Sequence, residues 1–271
     1  MTVKSRRSVS IVIPARNEER HLGACLEAIA RQTVAPYEVI VVDNNSTDKT
    51  AAITSRYPFV VVVDEEKEGI VHARDAGFDA ASGDIIGRID ADIKLPPTWV
   101  EHVQGFYGNP GNASSAWVSP GFFYNVRLPR LVSGAYTLMA FGLNKVLLGH
   151  YSLWGSSMAI TAQQWAKVRK KTCRQTDIHE DLDLAMHLHE AGFGIHLDRR
   201  IKVRAELRRV NSDRHKLWDY LNWWPRTLRA HGKKAWPLVW FVGVFLLYGA
   251  ATCLAAIDAI ADWLKARVTS S

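Results

Sequence analysis

Two acidic clusters in this chain have the residue types and spacing for chemistry. The first is Asp90-Ala91-Asp92, which follows the apolar run Ile85–Ile89. In an extended backbone, residues i and i+2 point to the same side, so Asp90 and Asp92 are expected to face one ligand together. Paired hard oxygen ligands at a strand end suit Mg²⁺ or Mn²⁺ that also holds a diphosphate. A solvated turn after the strand is the plainer alternative, and the spacing alone leaves it open. The second cluster is His179-Glu180-Asp181-Leu182-Asp183. Leu182, Ala185, Met186 and His189 fall on one helical face, which puts Glu180 and Asp181 at a helix N-terminus, where the helix dipole stabilises a carboxylate. Such a carboxylate can take the proton of an attacking hydroxyl, or merely cap the helix.

The elements that must position these clusters follow from periodicity. Val9–Pro14 and Glu38–Asp43 are β-branched runs that predict buried strands, as do Phe59–Val63 and Ile85–Ile89. Between them, Leu22, Cys25, Leu26 and Ile29 predict a helix over about 19–32. Asn44–Asp48 is turn chemistry ahead of a helix to about Tyr57, and Gly69–Ala80 carries a helix-like face. Later come a helix near Val100–Tyr107, strands at Trp117–Phe123, Trp154–Ile160 and Gly194–Leu197, and a long apolar segment, Leu128–His150. Alternating strands and helices imply a parallel sheet wound right-handedly, with ligands beyond the carboxyl ends of its strands. Pro14–Asn17, Asp43 and Asp90–Asp92 all lie at such ends.

Four blocks in order resemble family 2 glycosyltransferases of the GT-A fold: IVIPARNEERHLGACLEAIARQT, VIVVDNNSTDKTAAI, GIVHARDAGFDAASGDIIGRIDADIKLPPTWV and HEDLDLAMHLHEAGF, together covering roughly Ser8–Leu197. The resemblance implies a GT-A-type, Rossmann-like, mostly parallel sheet flanked by helices. It also implies a nucleotide-sugar donor, a divalent ion (Mg²⁺ or Mn²⁺) and inversion at the anomeric carbon. On it, Pro14, Ala15 and Asn17 line the base and ribose, Glu18 accepts from a ribose hydroxyl, and Asp43 meets the nucleobase edge, or caps the following helix. Asp90 and Ala91 lie along the donor, and Asp90 and Asp92 hold the metal. Arg74 offers fixed donors to phosphate oxygens, or is a buried partner of Asp43 or Asp90. Trp154, Gly155 and Ser156 resemble the Gly-rich segment beside the acceptor, and Asp181, with Glu180, matches the pair that holds the catalytic base. Asn44 and Asp75 stand where the family commonly has Asp and Asn. Arg226 and Arg229 loosely resemble a gating segment that meets the diphosphate, but Ala230 stands where a Trp would follow.

Composition bounds the rest. The chain has 271 residues, 48% hydrophobic and 23% charged, with a net charge of +7, which favours anionic partners. No zinc-finger or RNA-binding signature directs that charge to nucleic acid. Three well-separated cysteines give no disulfide framework or CxxC site, which suits a reducing cytosol. The run 237–257 is charge-free and long enough to span a bilayer core of about 30 Å, with Trp236 and Trp240 at its start. A buried helix is the alternative. Arg226, Arg229, Lys233 and Lys234 precede it and Lys265 and Arg267 follow, a bias that places the catalytic side in the cytoplasm, at the cell membrane. The expected organisation is a catalytic domain over 1–215, a basic, aromatic juxtamembrane segment over 216–236 and a C-terminal apolar membrane helix with its tail over 237–271.

The expected function is an inverting, metal-dependent glycosyl transfer to a hydroxyl or phosphate acceptor at a membrane, a lipid-linked one among the candidates. A nucleotidyltransferase would show a Gly-rich loop with Lys after the first strand, where this chain has ARNEE. A non-catalytic nucleotide-sugar-binding module remains the other alternative.

Overall fold

The order along the chain, in a computed structural model that describes residues 7–206 and 214–233, is β1 (Val9–Ala15), α1 (Leu22–Ala30), β2 (Glu38–Asp43), α2 (Thr50–Thr54), β3 (Val60–Asp64), α3 (Ile70–Ala80), β4 (Ile85–Arg88), α4 (Trp99–Tyr107), β5 (Ser115–Val118), β6 (Gly121–Phe123), α5 (Pro129–Thr137), α6 (Asn144–Leu148), β7 (Met158–Thr161), α7 (Ala162–Val168), α8 (Glu180–Glu190), β8 (Gly194–Leu197), β9 (Val203–Ala205) and α9 (Arg214–Ala230). The apolar run 237–257 and the charges beyond it lie outside the described residues.

Seven strands form one sheet in the order β3-β2-β1-β4-β7-β5-β8. The left half, β3 to β4, is parallel, as the alternating pattern predicts. β7 runs antiparallel to both β4 and β5, so the sheet is mixed, though mostly parallel. Every residue of β1 is buried, because helices cover both faces. Ile11 and Ile13 pack with Leu22, Leu26 and Ile29 of α1 and Trp99 of α4. Val12, pointing the other way, packs with Phe78 of α3, Trp165 of α7 and Leu184 of α8. A second, two-stranded ribbon pairs β6 with β9, and the Lys94–Arg204 bridge joins it to the segment after the acidic turn.

Several local expectations give way to backbone chemistry. Trp117–Phe123 divides into β5 and β6 at Ser119-Pro120, since proline has no N–H for a ladder. Trp154-Gly155-Ser156 is a turn rather than a strand, closed by the Ser157 N–H donating to Trp154 O at 3.0 Å. β4 stops at Arg88, so Asp90 and Asp92 sit in a turn closed by the Ile93 N–H on Asp90 O (3.2 Å), not on an extended strand end. Leu128–His150 forms one helical rod, with a π-helical stretch at Leu138–Leu143 joining α5 to α6. α9 crosses the boundary expected at 215/216, and its Trp224 and Leu228 pack on Leu182 and Met186 of α8.

Candidate functional site

The site lies where the parallel strands end. The loops after β1 and β2 are laced together there. Asn17, in the left-handed region at φ 55°, accepts from the Thr47 N–H (2.8 Å), while its own N–H donates to Ser46 Oγ (3.1 Å). The Glu18 N–H donates to Thr50 Oγ1, and the Glu19 N–H to Asp48. Asp43 closes the same turn by accepting from the Ser46 N–H. Pro14 and Ala15 are buried and Asn17 is exposed, so this pair of loops forms a fixed rim with Asn17 and Glu18 at its edge.

Asn44 explains the departure from aspartate at its position. Its buried amide donates to the Glu65 and Lys67 carbonyls (2.9 and 2.6 Å) and accepts from the Gly69 N–H (2.8 Å). A carboxylate has no donor for those two carbonyls. Asn44 therefore straps the loop that starts α3.

Arg88, which the sequence reading passed over, is the hub. Its side chain is 3% exposed, one guanidinium nitrogen donates to Glu180, and another meets Asp90 Oδ1 at 3.0 Å. The other Asp90 oxygen accepts from Ser156 Oγ. Thus one buried cation ties the acidic turn after β4 to the first residue of α8. Gly155 makes room for it: a Cβ there would overlap the guanidinium. The sequence carried a signal, a charged residue at the end of an otherwise apolar strand, and a buried charge requires partners.

The acidic pair at α8 divides into two roles. Glu180 is buried against Arg88, and although burial opposes its charge, the Arg88 and Arg74 guanidiniums hold its carboxyl below the usual range. Asp181 is pushed up to about 7 by burial and by the neighbouring Glu180 charge, while Arg88 and the backbone N–H groups of Gly155 and Leu182 pull the other way. Those N–H groups lie 3.1 and 2.8 Å from its oxygens and fix its orientation.

Arg74 lies inside the fold. It is fully buried, its Nε and Nη2 are held by Asp75 (3.0 and 2.7 Å), and Nη1 donates to the Glu180 carbonyl at 2.7 Å. Neither Asp43 nor Asp90 is its partner. It secures the start of α8, and Asp75 is aspartate because it neutralises this arginine.

The remaining expected residues make other contacts. Trp154 packs with Phe123 and with Tyr136 of α5 in an aromatic wall. Arg226 pairs with Asp177 at 3.2 Å in the loop before α8, and Arg229 is exposed on α9. Ala91 is buried between the two acidic residues. Beyond the turn, a cavity of about 240 Å³ is lined by Arg20, His21, Cys25, Asp92, Lys94, Tyr124 and Glu206 among others. The Cys25 thiol there is pushed up by burial, and further by the nearby carboxylates of Asp92, Asp90 and Glu18. An all-oxygen set of this kind fits Mg²⁺ or Mn²⁺. Asp92 borders the cavity, and Asp90 is braced behind it by Arg88 and Ser156.

Comparison with known proteins fits this geometry. The chain resembles the glycosyltransferase AglE of Haloferax volcanii, 29% identical over 148 residues that cover 46% of this chain and 48% of AglE. It also resembles the undecaprenyl-phosphate 4-deoxy-4-formamido-L-arabinose transferase of Serratia proteamaculans, 36% identical over 104 residues, 35% of this chain and 32% of that one. The chain thus spans half or less of the length of these relatives. Among solved structures, the mannosyltransferase PcManGT of Pyrobaculum calidifontis, in complex with GDP-Man and Mn²⁺, superposes with TM-score 0.60 at 19% identity, over 96% of this chain and 80% of its own. S. aureus TarS 1-349 in complex with UDP-GlcNAc gives TM-score 0.61 at 18% identity, over 79% and 64%. At such identities the likeness is one of fold, and the fold is GT-A. The model described as Glycosyl transferase family 2 matches residues 10–168, more than half of the chain, and the protein belongs to that family.

Proposed function

We propose that this chain is an inverting glycosyltransferase that moves a sugar from a nucleoside-diphosphate donor to a hydroxyl or phosphate acceptor at a membrane. The observation that carries the reading is the Arg88 bridge between Asp90 and Glu180. It sets the donor-side carboxylates and the proton acceptor in one rigid frame, and such preorganisation is where most electrostatic catalysis resides.

The rim formed by Pro14, Ala15, Asn17, Glu18 and Asp43 receives the nucleoside. Asp92, with Asp90, would hold Mg²⁺ or Mn²⁺, which when bound neutralises charge on the departing diphosphate. Asp181 takes the proton of the acceptor hydroxyl as its oxygen forms the bond to the anomeric carbon. The diphosphate leaves from the opposite face with the bonding electron pair, so a single displacement inverts the configuration. A base with a pKa near 7 is matched to neutral pH, where it is ionised enough to act and basic enough to accept. Glu180, held as an anion by Arg88, raises that basicity without itself moving a proton.

Membrane association rests on the rod 129–148. It is 20 residues long with mean hydropathy 1.4, and only 17% of its apolar window is buried. Leu131, Leu138 and Val146 are more than half exposed. Its Tyr136 touches Trp154, so the apolar surface adjoins the acceptor side of the site. This supports an acceptor presented from lipid, while the excess of basic residues ahead of the run 237–257 (Arg226, Arg229, Lys233 and Lys234) is what favours a cytoplasmic catalytic face. The undecaprenyl-phosphate relative points the same way.

A panel of uridine and guanosine diphosphate sugars, assayed for nucleotide release by the purified full chain, tests the reading. Turnover of one donor, lost in Asp181→Asn, is expected. Binding without turnover would assign the chain to a non-catalytic module. Release of pyrophosphate on offering a nucleoside triphosphate and a sugar phosphate would assign it to nucleotidyl transfer.

A further inference from the structure

Four side chains with metal-binding atoms meet behind α8, away from the acidic turn. Asp183 and His187 are one turn apart on α8 and so share a face. His231 follows α9, and Cys173 lies in the loop between α7 and α8. One ligand atom from each lies within 4.8 Å of all the others. Asp183 is fully buried, and the His231 and His187 side chains are 5% and 12% exposed. The two imidazoles face the carboxylate in the same sense. His231 Nε2 is 2.9 Å and His187 Nε2 3.4 Å from Asp183 Oδ1. Their Nδ1 atoms turn outward, 3.7 and 3.4 Å from Glu190. The Cys173 N–H donates to Asp183 Oδ2 at 3.0 Å, which holds the cysteine against the cluster.

Two features separate this cluster from an ordinary buried ion pair. Both ring nitrogens of His187 are buried, and their carboxylate neighbours Asp183 and Glu190 stand at 3.4 Å, too far for well-formed hydrogen bonds. A neutral imidazole carries an N–H that must go somewhere, and buried polar groups without partners are rare in folded proteins. The donor set is also telling: one thiol, two imidazoles and one carboxylate, four in all. Zn²⁺ takes such sulfur, nitrogen and oxygen ligands, tetrahedrally and four at a time in closed structural sites. The outward Nδ1 atoms beside Glu190 match the way a carboxylate orients a ligating histidine.

We propose that Cys173, Asp183, His187 and His231 form a structural Zn²⁺ site, bound through the thiolate, the carboxylate and both Nε2 atoms. Bond lengths of about 2.0–2.3 Å put tetrahedral ligand atoms about 3.3–3.8 Å apart, so side-chain adjustments of about 1 Å close the site. The ion fastens three segments: the loop before α8, α8 itself and the end of α9. α8 begins with Glu180 and Asp181, so the metal holds the helix that carries the proton acceptor, and all four of its positions are filled by protein. It is chemically distinct from the all-oxygen site at Asp90 and Asp92.

Elemental analysis of the full chain, expressed with zinc and washed with a weak chelator, is expected to find about one zinc per chain. Asp92→Asn is expected to keep that zinc and His187→Ala to lose it. Co²⁺ added to the metal-stripped protein is expected to give the visible bands of tetrahedral cobalt with a thiolate charge-transfer band, and Cys173→Ser to remove the latter while leaving cobalt bound. Stripping is expected to lower the melting temperature, with recovery on adding Zn²⁺ but not Mg²⁺. If the folded wild-type chain carries no zinc and shows no such cobalt spectrum, the cluster is a His231–Asp183 ion pair and the proposal fails. Zinc lost in Asp92→Asn but kept in His187→Ala would overturn it equally.

Discussion

Replacing Asp181 by Asn separates the proposed catalytic role of this carboxylate from its place in the fold. Asp181 accepts two backbone N–H groups, from Gly155 and Leu182, and sits beside the Glu180 charge with its own pKa pushed up to about 7. The substitution removes the proton acceptor, which for a positioned base is worth about 10²–10⁴-fold, or about 3–5 kcal/mol of barrier. The base works deprotonated, so wild-type turnover climbs with pH through about 7 and levels above it. The variant is expected to lose that rising limb. Stability moves oppositely. A carboxyl whose folded pKa is raised contributes stability below its unfolded pKa, and that contribution is lost as pH rises toward the folded value. At pH 8 the wild type bears the full cost of ionising Asp181 beside Glu180, on the order of a few kcal/mol, and neutral Asn does not. Against this, Asn offers one acceptor oxygen to the two N–H groups, a loss of about 1 kcal/mol. The variant is therefore expected to melt higher than wild type at pH 8, with the gain vanishing by pH 4. Donor hydrolysis, with water as the acceptor hydroxyl, and calorimetry at the two pH values are the assays. Unchanged hydrolysis, or a variant less stable at pH 8, would refute the argument that Asp181 is a strained base.

Three further outcomes follow from the same geometry. Arg88→Met leaves Glu180 buried and unpaired and is expected to cost about 3–5 kcal/mol in denaturant unfolding, whereas Arg88→Lys keeps a charge without the fork that holds both carboxylates, so it should fold but turn over at least about tenfold more slowly. Asn44→Asp loses the donors to Glu65 and Lys67 and places a carboxylate against their carbonyls, an expected loss of about 1–3 kcal/mol or more by the same measurement. Chelation at neutral pH is expected to stop turnover until Mg²⁺ or Mn²⁺ is returned, and Asp92→Asn to abolish that rescue; full activity in chelator would remove the metal from the account.

The parallel half of the sheet was legible because β1, β2 and β4 are buried β-branched runs with turn chemistry between them. β7 was not, since a short apolar run reads alike whether it pairs parallel or antiparallel. The acidic turn was placed correctly at a strand end, but its backbone geometry was not, because Asp90 is held by Arg88 and Ser156, residues two and sixty-six positions away. The resemblance puts Arg74 at the donor phosphates, while its full burial and its hold by Asp75 emerge only on folding. The Arg88 guanidinium, which forms its ion pair with Glu180, divides two carboxylates that are equivalent in sequence. Cys173 carried no signal, because its neighbours in the cluster come from α8 and from beyond α9, and only folding brings them together.

A single displacement assisted by one base leaves its mark on the stereochemistry of the product. With the donor identified from the panel, proton NMR of the reaction as it proceeds reports the anomeric configuration of the first-formed product before it equilibrates. A configuration opposite to that of the donor is expected. Retention would require a second displacement or a front-face reaction, for which Asp181, oriented by Gly155 and Leu182 as a lone base, has no place.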